Sequence, residues 1–144
     1  MTRKDKGKYG KKHSPQITLN PVIVEAVQRG LSEGKLSCPG AFRIASRLKV
    51  RPKEVGITLD LLEISLMKCQ LGLFGYGVAD KNIQASETVP PTVEAAIRGA
   101  LVKGRLSCSS VWEIARRLKM GRKRIASACE ALKIKISSCQ LGAF

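Results

Sequence analysis

Three consecutive cations, Arg122, Lys123 and Arg124, follow Gly121, and Ser127 and Glu130 come one and two helical turns later. Arg116, Arg117 and Lys119 stand just before them. Charge of this density suits a polyanion. Arginine forks onto a phosphate or a guanine edge through two parallel hydrogen bonds, and lysine adds point charge. In the segment about seventy residues upstream, the matching surface holds Arg51, Lys53, Glu54 and Thr58, with Arg43, Arg47 and Lys49 nearby. A third basic stretch, Arg3, Lys4, Lys6, Lys8, Lys11 and Lys12 against Asp5, has the composition of a disordered arm that tracks phosphates. The plain alternative for each is a solvated basic face that keeps the protein soluble.

Other chemistry is poorly supplied. His13 is the single histidine and has no partner that would complete a catalytic or metal set. No Ser/His/Asp or Cys/His arrangement and no phosphate-binding glycine loop is present, so the chain does not read as an enzyme and no cofactor is expected. The five cysteines include no Cys-x-x-Cys pair. Cys38 with Cys69, and Cys108 with Cys139, could approach as two-thiol metal or redox sites. The favoured reading makes them small core residues and expects no metal, with Cys129 in the core as well.

The elements that must position these residues are written twice. A shift of 70 places lays Pro21–Phe74 on Pro91–Phe144 without a gap, and 20 of the 54 pairs are identical. A match of that quality makes each copy one structural unit. The organisation expected is a disordered basic arm (1–19), repeat one (20–74), a linker (75–90) and repeat two (91–144). Of the formal net charge of +15, repeat two carries 11 basic against 3 acidic residues and repeat one 8 against 5.

Within each copy, apolar residues at i, i+4 and i+8 (Ile23, Val27, Leu31; Val93, Ile97, Leu101) mark a first helix. Pro21 and Pro91 sit where a first-turn proline is tolerated, Asn20 suits an N-cap, and Gly34 and Gly104 are placed to stop the helix. A short extended piece follows at Leu36-Ser37-Cys38 and Leu106-Ser107-Cys108. A second helix carries Phe42, Ile44, Ala45 and Leu48, matched by Trp112, Ile114, Ala115 and Leu118. After a three-residue turn comes a third helix, its buried face Val55, Leu59 and Leu62, matched by Ile125, Cys129 and Leu132. Strand-like runs close each copy, Ile64–Leu71 and Ile134–Leu141, ending in Cys-Gln-Leu-Gly-x-Phe. In that ending Gly72 and Gly142 allow a bend, and Phe74 and Phe144 close the core.

The fold class expected is mainly α with short β strands. The steps Ile44-Ala45, Leu48, Val50 and Val55, repeated as Ile114-Ala115, Leu118, Met120 and Ile125, resemble the helix-turn-helix of winged helix-turn-helix DNA-binding proteins. The resemblance covers about 30 residues of each copy. At the turn position that the motif usually gives to glycine the chain has Lys49 and Lys119, and no second wing strand follows. The resemblance implies tandem winged-helix-like domains. It also implies that the start of the third helix enters the major groove of double-stranded DNA, as in a transcriptional regulator.

Repeat one differs from repeat two on that helix. Ile57 and Leu61 lie outside its apolar stripe where repeat two has Ser127 and Ala131, so repeat one is expected to supply an interface, to repeat two or within a homodimer. An RNA-binding winged helix and a protein-interaction module with an incidental basic surface stand as alternatives. The linker could span about 50–55 Å when extended. No apolar stretch approaches the roughly 20 residues that cross a bilayer, and Met1–Lys12 lacks the apolar core of a signal peptide, so a cytoplasmic protein without membrane contact is expected.

Overall fold

A computed structural model describes residues 18–77 and 80–144; the arm residues named above lie outside them. The described residues form six helices and four two-residue strands. They divide into two compact units, one of Met1–Cys69 with Gln140–Phe144, the other of Gln70–Cys139. The units therefore cut across the two copies: each takes its closing Gln-Leu-Gly-x-Phe segment from the other copy.

In the first unit, α1 spans Pro21–Gly30. Asn20 Oδ1 accepts from the Val22 N–H at 3.0 Å, which satisfies one donor of the first turn. Ile23, Ala26 and Val27 form its buried stripe. The helix ends in an extended Leu31, so Gly34 is not its stop signal. Instead Ser32 and Lys35 exchange both backbone hydrogen bonds, at 2.8 and 3.0 Å, around Glu33 and Gly34, whose φ angles are 51° and 75°. Two successive positive φ values make a tight primed turn, which glycine accommodates without steric cost.

β1 (Leu36–Ser37) leads into α2 (Cys38–Leu48), capped by Ser37 Oγ, which accepts from the Gly40 N–H at 3.0 Å. Lys49 ends α2 in the left-handed conformation, φ 56°. Its backbone N–H and that of Val50 return to the Ser46 and Ala45 carbonyls, turning the chain within three residues into α3 (Pro52–Leu61). Val55 and Leu59 are buried as the apolar spacing requires, while Leu62 caps the helix half-buried. β2 (Leu66–Met67) pairs with β1 in parallel, Leu36 beside Leu66.

The second unit repeats this order with α4 (Pro91–Gly99), β3 (Leu106–Ser107), α5 (Cys108–Leu118), α6 (Arg122–Ala131) and β4 (Ile136–Ser137). Left-handed residues recur 70 positions apart: Glu33 and Lys103, Lys49 and Lys119, Glu63 and Lys133, Lys68 and Ser138. Gly104, like Gly34, belongs to a primed turn and not to a helix end.

Two differences from the sequence expectations concern the closing runs and the linker. Ile64–Leu71 and Ile134–Leu141 are strand at only two residues each, because Lys68 and Ser138 turn to φ 53° and 54° and break the extended run. Both pairs are parallel, so no antiparallel wing hairpin forms among the described residues. The described part of the linker is fastened within the second unit. The Asn82 N–H donates to the Gly72 carbonyl at 2.7 Å, Lys81 pairs with Glu130 at 2.7 Å, and the Ser86 N–H donates to the Ser127 carbonyl at 3.1 Å.

Cys38, Cys69, Cys108 and Cys129 are buried and Cys139 is half-buried. Among the described residues, no three His, Cys, Asp or Glu side chains group to hold a metal, and no helix is long and apolar enough to cross a membrane.

Candidate nucleic-acid interface

The basic cluster of the second unit lies on both sides of the α5–α6 turn. Helix α5 is amphipathic, with Cys108, Val111, Ile114 and Ala115 buried, and this turns Arg116 and Arg117 to solvent at its last turn. Lys119 follows, exposed, in the left-handed conformation that reverses the chain. Helix α6 then opens with Arg122, Lys123 and Arg124, where the helix dipole presents partial positive charge. A cation there is disfavoured by about 0.3–1 kcal/mol, so local stability does not account for three of them.

Two of the three are held in place. The Arg122 guanidinium stacks on the Trp112 indole, 3.5 Å from the ring centroid, and Nη1 donates to Gln70 Oε1. The Lys123 ammonium lies 4.7 Å from the centroid of the Tyr76 ring. Each stack is worth roughly 0.5–2 kcal/mol, depending on how far the cation is desolvated. Arg124 is exposed. The array thus has two parts: Arg122 and Lys123 are half-buried and oriented by aromatic rings, whereas Arg116, Arg117, Lys119 and Arg124 stand free in solvent.

Beyond its first turn α6 is less open than expected. Ile125, Ala126, Ala128 and Cys129 face the core. The flank carrying Ser127 and Glu130 receives the linker, through the Ser86 bond to the Ser127 carbonyl and the Lys81–Glu130 ion pair. Ser127 is half-buried. Only the amino-terminal turn of α6 is left for a deep approach to a ligand. Cys129 shows how tightly the rest is packed: burial, with the Glu130 carboxylate beside it, pushes its thiol up to about 11.

In the first unit, Arg43, Arg47, Lys49, Arg51 and Lys53 are exposed. Thr58 is not available as a contact residue. It is 3 % exposed, and its Oγ1 donates to the Glu54 carbonyl at 3.0 Å, because position 58 lies one turn after 54 on the face that packs inward. Ile57 and Leu61 are half-buried, so the apolar surplus of α3 is partly covered within the chain. Glu54 Oε2 accepts from the Arg51 N–H at 2.9 Å, tying down the first turn of α3 with a carboxylate where α6 has Arg124.

Trp112, Tyr76 and Gln70 went unrecognised in the sequence as supports of the site. The signal available was small: Trp112 replaces Phe42, and Arg122 replaces Pro52, at matching positions of the two copies. No protein-family model, no curated protein and no solved structure matches the chain, so the site rests on its own residues.

Proposed function

We propose that the protein binds double-stranded DNA through the α5–α6 turn of its second unit, as a tandem winged-helix-like protein acting in transcriptional regulation. The observation that carries this reading is the array at that turn. Four cations stand free and two more are oriented on aromatic rings, and three of the six, Arg122, Lys123 and Arg124, occupy a helix start where the dipole opposes them. A polyanion removes that opposition and takes the charge as phosphate contacts. The left-handed Lys119 stands at the turn position where a helix-turn-helix needs positive φ, which supports the motif despite the missing glycine.

The mode of contact follows from what is open. The first turn of α6, with Arg124 exposed and Arg122 in reach, meets the groove edge, while Arg116, Arg117 and Lys119 meet the flanking phosphates. The basic arm and the exposed cations of the first unit add charge along the duplex. Structured RNA is the second reading. It is favoured by the linker cover on the Ser127 flank, since a helix open only at its end suits recognition by shape and backbone.

The test is a titration of a fluorescent duplex and a matched RNA hairpin across salt concentrations. It compares wild type with the triple variant Arg116→Ala/Arg117→Ala/Arg124→Ala. Tighter duplex binding, with a log–log salt slope about 2–3 shallower in the variant, is the expected result. Equal slopes for the two proteins would show that the cluster is only a solvated face, and tighter hairpin binding would move the assignment to RNA.

A further inference from the structure

The second unit carries another basic cluster, at the opposite end of α6, that the reading above does not use. β3 and β4 place Leu106 beside Ile136, and the Leu106 N–H donates to the Lys135 carbonyl at 3.1 Å. Leu106 and Ile136 are buried, so by the alternation of an extended chain the residues before them, Arg105 and Lys135, face solvent side by side. Two positions before each stands an exposed lysine in the left-handed conformation, Lys103 at φ 52° and Lys133 at φ 58°. Arg105 and Lys135 thus flank the start of the strand pair, and Lys103 and Lys133 stand in the turns that lead into it. The ion pairs among the described residues, Glu25–Arg29, Lys81–Glu130 and Glu94–Arg98, involve none of them.

The first unit supplies the control. Its backbone takes the same course, with the Leu36 N–H donating to the Ser65 carbonyl at 3.2 Å and with left-handed residues at 33 and 63, yet the four positions hold Glu33, Lys35, Glu63 and Ser65. The fold therefore does not require four cations there. Like charges set directly across a strand pair weaken it, so the second unit keeps them against its own stability.

We propose that Lys103, Arg105, Lys133 and Lys135 form a second phosphate-contact surface, engaging the sugar–phosphate backbone of the duplex bound at the α5–α6 turn. This rests on the function proposed above. The ten residues of α6 separate the two clusters by about 15 Å along the helix axis. That length is comparable to the roughly 12 Å width of a major groove, so the clusters can address the two backbones on either side of it. Duplex DNA, with about one charge per 1.7 Å of axis, matches such a concentration of cations.

The test grafts first-unit residues into the second: Lys103→Glu, Lys133→Glu and Lys135→Ser, each acceptable to the same backbone at its matching position. Circular dichroism checks that the variant folds, and duplex titrations over salt then compare it with wild type and with the triple α5–α6 variant. The graft should lose at least about tenfold in affinity and flatten the salt slope by about 2–3, additively with the other variant. A graft with the wild-type slope, beside an α5–α6 variant that has lost its own, overturns this surface and leaves the proposed function standing. Loss on the graft alone upholds the surface and overturns the turn as the primary site. Failure of the wild type to bind any duplex overturns both. Polyglutamate competing as well as duplex at equal charge would also overturn the assignment to nucleic acid.

Discussion

The first turns of α3 and α6 occupy matching positions and have been built to opposite ends. Helix α3 begins with Pro52, preset for a helix, and Glu54, whose carboxylate holds the Arg51 N–H. Helix α6 begins with Arg122, Lys123 and Arg124, and recovers order from outside itself through Trp112, Gln70 and Tyr76. The remainder of each helix diverges as well. Gly56 in α3 lies so close to the Leu141 backbone that a Cβ built on it would overlap the Leu141 carbonyl, whereas α6 has a fully buried Ala126 at the matching position. One copy thus has a self-sufficient helix start and a backbone-tight core contact. The other has a start that is costly in isolation and aromatic supports that fix two of its cations. The first unit's helix satisfies its own start, and the second's gathers cations that draw their support from elsewhere.

The largest expected break in that comparison comes from Gly56→Ala. The added methyl must displace the Leu141 backbone, and overpacking of this kind costs about 1–3 kcal/mol or more. Urea unfolding should show the loss, while Ala126→Gly should cost about 1–2 kcal/mol, from helix propensity and the lost buried methyl. A neutral Gly56→Ala would mean that residues 140–144 do not pack against α3. Next comes Arg124→Glu, which restores in α6 the carboxylate of α3. The helix start should gain roughly 0.5–1.5 kcal/mol from the cap and the dipole, and duplex affinity should fall. A variant that gains stability without losing affinity would remove position 124 from the interface.

The smallest effect at neutral pH belongs to Cys129, whose titration is confined to alkaline solution. The Cys129 thiol is raised from 9.0 to about 11 in the folded protein, so the folded state keeps its proton to higher pH than the unfolded state does. Its contribution to stability is complete below about pH 9 and is lost as the pH climbs through about 11. Cys129→Leu, which installs the residue that the first unit has as Leu59, should flatten that part of the stability profile. An unchanged profile would assign the alkaline loss to other groups.

Much of the fold was legible because its signals are local. The spacing of Ile23 and Val27, and of Val55 and Leu59, is a helical period, and all four are buried. The two copies, compared with each other, mark the same core twice. What stayed hidden is non-local. Nothing in the period of residues 64–71 announces that Lys68 will turn left-handed, or that residues 70–74 will join the unit of the second copy. The linker reads as polar, yet single bonds from Lys81 and Ser86 suffice to hold it on α6. Of the candidate site, the cations were legible from their spacing. The burial of Thr58 was not, because the hydroxyl bond to the Glu54 carbonyl lets a polar residue sit on the inward face.

The exchange of closing segments also sets an order in time. The second unit comprises residues 70–139, and every one of them leaves the ribosome before Gln140, which the first unit needs. At about 5–20 residues per second, the stretch from Cys69 to Gln140 takes roughly 4–14 s to make. Through that interval the first unit's helices exist without Leu141 against Gly56. The unit whose synthesis begins first is therefore the one completed last, its closing segment arriving directly after the last residue of the second unit.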